Sequence, residues 1–218
     1  MLPNHNPPYN RIVEYCDSSF NQYGAVPKGV NWPNDADAVR RLKVMRELWK
    51  SDQRSSLSVL DLGCGYGAFL EYLLKKENEV KFIYTGIDLS VPMIDTAKKS
   101  YQEHTFLRRD ILQEPLEKEN FDYGVMNGVL TVKLDLSFEV MEKFAHEIIL
   151  ALYQSCRYGI AFNVMSTHVD WERSDLFHMP IDRLLSFLIK NCSRHVVVRA
   201  DYGLYEYTVY VYRNPACQ

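Results

Sequence analysis

The sequence predicts an α/β fold with a mostly parallel sheet of seven strands, helices on both faces and an antiparallel C-terminal strand. Apolar segments of strand length alternate with amphipathic segments of helical length along most of the 218 residues. Parallel strands need long crossovers, and helices of this length provide them. The last two strands are joined through Tyr202–Gly203 alone. So short a connection joins only antiparallel neighbours.

The regular pattern begins at Asp35, where an aspartate at position 35 or 37 is a suitable N-cap for a first helix. Its apolar face contains Val39, Leu42, Met45, Leu48 and Trp49. The predicted strands after it cover residues 55–63, 82–89, 104–111, 121–127, 158–165, 194–201 and 204–213. The predicted helices between them cover residues 68–76, 91–102, 137–156 and 181–191. Pro92 stands in the first turn of its helix, where a missing N–H costs nothing.

Residues 1–34 are rich in Pro, Asn, Gly and Tyr, and we expect them to form an irregular N-terminal arm. The main domain then covers residues 35–218. The arm also contains Tyr23, Lys28 and Trp32, side chains that a detached tail does not need. We therefore expect the arm to fold across a ligand as a lid, with Tyr23 or Lys28 facing an anionic group of that ligand.

Composition limits the possible environments and partners. The net charge is −3 and the isoelectric point is about 6.1, so no global positive field attracts nucleic acid. Five cysteines without a CxxC pair suit a reducing compartment. The N-terminus lacks the pattern of a signal peptide, and no apolar segment approaches the ~20 residues of a membrane span. We expect a cytoplasmic protein without a membrane partner.

The segment LDLGCGYGAF, residues 60–69, carries the strongest chemical signal. Glycines 63, 65 and 67 lie between a strand and a helix, where backbone N–H groups approach a ligand closely. Asp61, Asp88 and Asp110 each end one of three consecutive strands, which places them at the ligand-binding edge of the sheet. Asp88 is suited to bind the two ribose hydroxyls of an adenosine. These features predict an adenosine cofactor.

A nicotinamide cofactor is one alternative, since Ala68 completes a tolerated form of the dinucleotide fingerprint. However, Asp61 points into the loop and would repel a pyrophosphate, whereas it suits the ammonium of an amino-acid moiety. The reversed strand at the C-terminus also argues against the dinucleotide enzymes.

The successive motifs DLGCGYGAF, TGIDLS, RRDIL and FDYGVMNGVL resemble those of class I S-adenosylmethionine-dependent methyltransferases over residues 35–213. The resemblance implies a Rossmann-like fold, S-adenosyl-L-methionine as cofactor, and a methyl-transfer reaction. The cofactor-binding residues that it implies are Asp61, Gly63, Cys64, Gly65, Gly67, Asp88, Leu89, Met93, Asp110, Ile111, Asn127 and Gly128. The chain is also similar to small bacterial methyltransferases of undefined substrate, although Ala38 stands where those proteins carry a glutamine.

Residues 6–9 read Asn-Pro-Pro-Tyr, which resembles the active-site tetrapeptide of methyltransferases that modify exocyclic amino groups of bases. In those enzymes the tetrapeptide follows the fourth strand, where this chain has Asn127 and then Gly-Val-Leu. In permuted enzymes a buried strand leads into it, but only the polar segment MLPNH precedes Asn6. We interpret the match as a coincidence.

Methyl transfer depends mainly on alignment, so the reaction does not require an obvious base. His168 and Asp170 follow the fifth strand and are the candidate base and its orienting acid. Surface polar residues are the competing interpretation. The spacing of His168, Asp170 and His178 fits no familiar metal site, so no metal is expected.

The leading functional hypothesis is methylation of a small molecule or a sugar-like metabolite. The acidic isoelectric point and the absence of an added recognition domain favour it over a nucleic-acid substrate. Methylation of RNA or protein through a partner subunit is a second hypothesis. A protein that binds the cofactor but has lost catalysis is the third. The sequence gives no oligomeric state.

Overall fold

The computed structural model describes residues 7–76 and 80–215 and confirms the seven-stranded α/β architecture. The strands are β1 (Ser56–Leu62), β2 (Lys81–Asp88), β3 (Thr105–Arg108), β4 (Phe121–Leu130), β5 (Cys156–Met165), β6 (His195–Arg199) and β7 (Glu206–Tyr212). The helices are α1 (Asn10–Tyr23), α2 (Asp35–Arg46), α3 (Ala68–Lys76), α4 (Val91–Ser100), α5 (Phe138–Ser155) and α6 (Ile181–Asn191). Two short 3₁₀ turns, Pro27–Val30 and Glu47–Trp49, flank α2.

The strand order is β3-β2-β1-β4-β5-β7-β6. Strands β1 to β5 pair in parallel, whereas β7 lies antiparallel between β5 and β6. The order reverses at β1, so the chain winds outward in both directions from the centre of the sheet. In open α/β sheets, ligands bind at such a reversal, beyond the carboxyl ends of the strands.

Two apolar layers cover the faces of the sheet. On one face, α5 and α6 bury residues such as Ile149, Leu152 and Leu188. On the other face, α2, α3 and α4 pack over residues such as Leu57 and Val59. Both faces are therefore covered, which explains why the central strands are apolar on both sides.

The N-terminal arm differs from the sequence-based expectation of irregular structure over residues 1–34. Residues 10–23 form the regular helix α1. Its inward face carries apolar side chains at helical spacing: Tyr9, Ile12, Val13, Cys16 and Phe20. The proline and asparagine residues that suggested irregularity flank this helix, so the composition of the whole arm obscured a short amphipathic repeat. Asn6 lies outside the described residues.

Among the helices of the described ranges, none has the length and apolar character that a bilayer crossing requires.

Helix α3 offers a matched test of this packing. Leu70 is fully buried under the sheet, whereas Leu74, one turn later, is 49% exposed. We expect Leu70→Ala to lower the free energy of unfolding by about 2–5 kcal/mol, because it leaves a cavity. Leu74→Ala should change it by no more than about 0.5 kcal/mol. Urea denaturation of both variants measures the difference, and equal losses would contradict the burial described for this helix.

Candidate active site

A cavity lies at the carboxyl ends of β1, β2 and β4, at the reversal of the strand order. Most of the predicted cofactor residues line it: Asp61, Gly63, Cys64, Gly65, Asp88, Leu89, Met93, Asp110, Ile111, Asn127 and Gly128. Gly67 is not among the lining residues and instead stands where the loop enters α3. The strand ends that the sequence analysis singled out therefore lie around one cavity, and their role in cofactor binding stays a prediction.

The glycine loop passes close under the neighbouring strand. The backbone N–H groups of Gly63 and Cys64 donate hydrogen bonds to the carbonyl of Ile87, at 2.7 and 3.1 Å. Gly63 has a φ of +75°, and a Cβ at this position would lie 2.2 Å from the Val129 side chain. Glycine is therefore required here both by the backbone conformation and by the space available.

Asp88 fixes the loop from the end of β2. Its carboxylate accepts hydrogen bonds from the N–H of Gly65 at 2.8 Å and from the N–H of Ser90 at 2.9 Å. Ser90 caps α4, so Asp88 joins the glycine loop to the start of that helix. Burial raises the pKa of Asp88, although the backbone N–H donors oppose that change.

Asp61 lies at the centre of the site and is only 2% exposed. The hydroxyl of Tyr84 donates a hydrogen bond to its carboxylate at 2.5 Å. Burial raises the pKa of Asp61 to about 7, the Tyr84 hydrogen bond lowers it in part, and the charge of Asp88 adds to the increase. Within the described ranges no salt bridge reaches this carboxylate, so its ionised form has no cationic partner there.

Asp110 receives a partner that the sequence analysis missed. The Tyr9 hydroxyl donates a hydrogen bond to one carboxylate oxygen at 2.6 Å, and the N–H of Leu112 donates to the other at 3.0 Å. Tyr9 belongs to the Asn-Pro-Pro-Tyr match, yet it reaches the site from the N-terminal arm and not from the fourth strand. Its helical spacing with Ile12 and Cys16 was the available signal.

Near its end, β4 is irregular at Gly128, where its pairing with β5 shifts register; this irregular segment, the β4 turn, is held by a buried polar network. The N–H of Gly128 donates to the side-chain oxygen of Asn163 at 2.7 Å, and the Asn163 amide donates to Glu206 at 3.0 Å. Arg41 closes the network with hydrogen bonds to both oxygens of Glu206, each 3.0 Å long. Trp32 packs against Gly128 and against the Arg41 guanidinium. Sequence reasoning identified neither Asn163, Glu206 nor Arg41.

The N-terminal arm lies across the cavity. Phe20 stacks on Tyr66 of the glycine loop, with 6.1 Å between ring centroids, and packs against Met93 of α4. Ser90 donates a hydrogen bond to Asp17 at 2.5 Å and so ties α1 to the start of α4. Of the residues expected in a lid, Trp32 lines the cavity. Tyr23 and Lys28 instead contact each other outside it, with the ammonium 4.0 Å from the ring centroid.

The candidate general base, His168, and its orienting acid, Asp170, lie in the loop after β5. Asp170 accepts a hydrogen bond from the exposed Tyr205 at 3.0 Å, and the N–H of His168 donates to Ser166. In the described part of the chain, neither His168 nor Asp170 lines the cavity. Their catalytic role stays a prediction. His178 is occupied by hydrogen bonds with Ser166 and Arg173. No group of three potential metal ligands occurs within residues 7–76 and 80–215.

Comparisons with known proteins agree with this site. A family model described as a methyltransferase domain matches residues 59–153, which include the glycine loop. Rv1506c of Mycobacterium tuberculosis, a protein named as a methyltransferase, is 31% identical over 156 residues, 71% of this chain and 92% of the relative. A ubiquinone/menaquinone biosynthesis C-methyltransferase of Campylobacter jejuni is 30% identical over 103 residues, 43% of each chain.

A solved structure supports the fold. The magnesium protoporphyrin IX methyltransferase of Synechocystis PCC 6803, crystallised with S-adenosylmethionine, gives a TM-score of 0.67. The superposition covers 95% of this chain and 97% of that chain, at 17% sequence identity. At this identity the likeness shows the fold alone. Together with the nearly full-length mycobacterial relative and the domain match, it assigns the chain to the class I S-adenosylmethionine-dependent methyltransferases, whose methyl donor is S-adenosylmethionine.

Proposed function

We propose that this enzyme methylates a small-molecule metabolite with a largely apolar body. The observation that carries the proposal is the convergence of Asp61, Asp88 and Asp110 on one cavity that the N-terminal helix covers. The carboxylates suit the polar groups of the cofactor, while the cover leaves a confined space for the acceptor. The rest of the cavity wall is mainly apolar, which favours an apolar acceptor over a sugar-like one.

The residues of the cavity fit S-adenosylmethionine. Asp61 is a buried carboxylate without a cationic partner in the described residues, and the ammonium of the methionine moiety would supply one. Asp88 stands at the strand end where a carboxylate binds ribose hydroxyls. Asp110 would accept from the adenine amino group, and Met93, Leu89 and Ile111 would pack around the ring. When bound, the cofactor supplies a methyl group on a positively charged sulfur.

The protein's own contribution is alignment and exclusion of water. Asp88 fixes the glycine loop, and Asn163 fixes the β4 turn. Helix α1, which covers the cavity, is held by the contacts of Phe20 with Tyr66 and of Ser90 with Asp17. Holding two reactants in line supplies about 7–11 kcal/mol of the barrier reduction in well-oriented systems. The arm lies over the cavity and would limit the access of water to a bound cofactor, which would strengthen the interactions of the three carboxylates with its positive charge.

A small acceptor is favoured over a macromolecule by the covered site. Tyr9, Ile12, Cys16 and Trp32 of the arm all line the cavity. A base or peptide side chain attached to a polymer would have to displace this cover. The net charge of −3 adds no attraction for RNA or DNA.

Radiolabelled methyl transfer tests this proposal directly. The purified enzyme with methyl-labelled S-adenosylmethionine should label a component of a small-metabolite extract, and not RNA or protein fractions. Labelling of the RNA or protein fraction alone would favour a macromolecular substrate, as would labelling of either fraction that requires a co-purifying subunit. Cofactor binding without labelling of any fraction would favour an inactive binding protein.

Asp88→Asn should weaken binding of S-adenosylhomocysteine about tenfold to a hundredfold, since it disrupts charge-assisted bonds. The exposed Asp95 of α4 provides the control Asp95→Asn.

The raised pKa of Asp61 makes cofactor affinity depend on pH. The carboxylate has a pKa of about 7 in the free protein, and pairing with an ammonium would lower it. Binding is then favoured by deprotonation, so affinity for S-adenosylhomocysteine should rise up to about tenfold per pH unit toward pH 7 and level off above. Calorimetry at several pH values measures this. Asp61→Asn should bind more weakly and lose the dependence, and an unchanged pH profile in this variant would exclude the assignment.

The cover predicts slow release of the cofactor product. Phe20 anchors α1 to Tyr66 and Met93. We expect Phe20→Ala to release S-adenosylhomocysteine at least about tenfold faster, because the variant loses an aromatic contact and buried apolar area. Stopped-flow displacement measures the rate. Tyr15, exposed on the same helix, gives the control Tyr15→Ala. Equal release rates for wild type and both variants would show that α1 does not cover the bound cofactor.

A further inference from the structure

We infer that the side-chain amide of Asn127 binds the methyl acceptor, and that this acceptor is an uncharged molecule whose polar group, such as a hydroxyl, both donates and accepts a hydrogen bond. The inference rests on the proposed function and narrows its substrate class. Asn127 lines the cavity at the end of β4. Its amide nitrogen and oxygen are both buried, and neither has a hydrogen-bond partner within the described ranges. Nearly all buried polar groups in proteins are paired, so these two atoms call for a ligand.

The sheet order places Asn127 apart from the carboxylates proposed for the cofactor. Asp61 lies near the end of β1, whereas Asp88 ends β2, on one side of β1. Asp110 follows β3, farther out on the same side. Asn127 is on β4, on the opposite side of β1. On the proposed cofactor placement, the nucleoside groups therefore extend away from Asn127, which lines the cavity on the other side of β1.

Neighbouring protein groups do not satisfy this amide, because they are committed elsewhere. Asn163 uses its oxygen for the N–H of Gly128 and its nitrogen for Glu206. The Thr131 hydroxyl donates to the carbonyl of Gly128 at 2.8 Å. These bonds hold the turn that follows Asn127, with Trp32 packed against Gly128. These contacts fix the turn, whereas the amide nitrogen and oxygen of Asn127, which precedes it, have no partner among the described residues.

The charge of the wall defines the acceptor class. The cavity side chains nearest in sequence to Asn127 are Val129, Thr131 and Val132, and the arm adds Ile12 and Val13. None of these side chains is charged. Arg109 is the basic residue among those described that line the cavity, and its guanidinium donates to the carbonyls of Glu114 and Pro115. An anionic acceptor would find no free cation here, and a cationic one would lie beside a positively charged sulfur.

The decisive variant is Asn127→Leu, which keeps the branched shape of the side chain and removes both polar atoms. Because the amide has no hydrogen-bond partner among the residues that the structure describes, the melting temperature should be unchanged or higher. Binding of S-adenosylhomocysteine, measured by calorimetry, should stay within about threefold of wild type, while labelling of the metabolite extract should fall at least about thirtyfold, in line with a lost polar contact. Asn120→Leu, at an exposed position, is the matched control and should leave all three measurements unchanged.

The acceptor class is tested by separating the extract on ion exchangers before the labelling reaction. The labelled product should arise from the neutral fraction. Labelling from the anionic or cationic fraction alone would overturn the inference while leaving small-molecule methylation intact. A lower melting temperature of Asn127→Leu would assign the amide a structural role. A tenfold loss of S-adenosylhomocysteine affinity would assign the amide to cofactor binding. Either result overturns the inference, even if no fraction is labelled. Absence of labelling in every fraction contradicts the proposed function. The melting temperature and the S-adenosylhomocysteine affinity of Asn127→Leu then still show whether the amide has a structural or a cofactor-binding role.

Discussion

The hydrogen bonds from the glycine loop to Asp88 are the interaction on which the site depends. One carboxylate receives the N–H of Gly65 after β1 and the N–H of Ser90 before α4, and so joins two crossovers at the centre of the sheet. Ser90 in turn holds α1 through Asp17. The loop, the helix and the cover therefore share one anchor. A change at Asp88 affects the shape of the whole cavity as well as one polar contact.

The accumulation of carboxylates has an energetic cost that only a suitable ligand offsets. The charge of Asp88 adds to the raised pKa of Asp61, and burial disfavours the ionised forms of both carboxylates. A purely structural core would replace them with apolar side chains. Their presence is consistent with a site that gives up stability to bind a positively charged molecule. This explains why the folded protein should gain stability from its cofactor beyond simple filling of a cavity.

Local sequence patterns predicted the sheet, its helices and the residues at the strand ends, because periodicity and glycine spacing are local signals. The residues that were missed act over long sequence distances. Arg41 meets Glu206 from 165 positions away, and Tyr9 meets Asp110 from 101 positions away. Neither pairing follows from spacing, since each depends on which elements become neighbours in the folded chain. The failure to predict helix α1 has a different cause, because its apolar repeat is a local signal that the proline-rich composition of the arm obscured.

The reversed strand β7 has a consequence for biosynthesis. It fills an interior position between β5 and β6, yet it follows every other strand along the chain. Until the ribosome has delivered residues 206–212, both neighbouring strands present open edges, which are prone to pairing with other chains. Glu206, which orders the β4 turn through Asn163, arrives with the same segment. The interior of the sheet and the polar network around Gly128 are therefore completed only when the last strand docks.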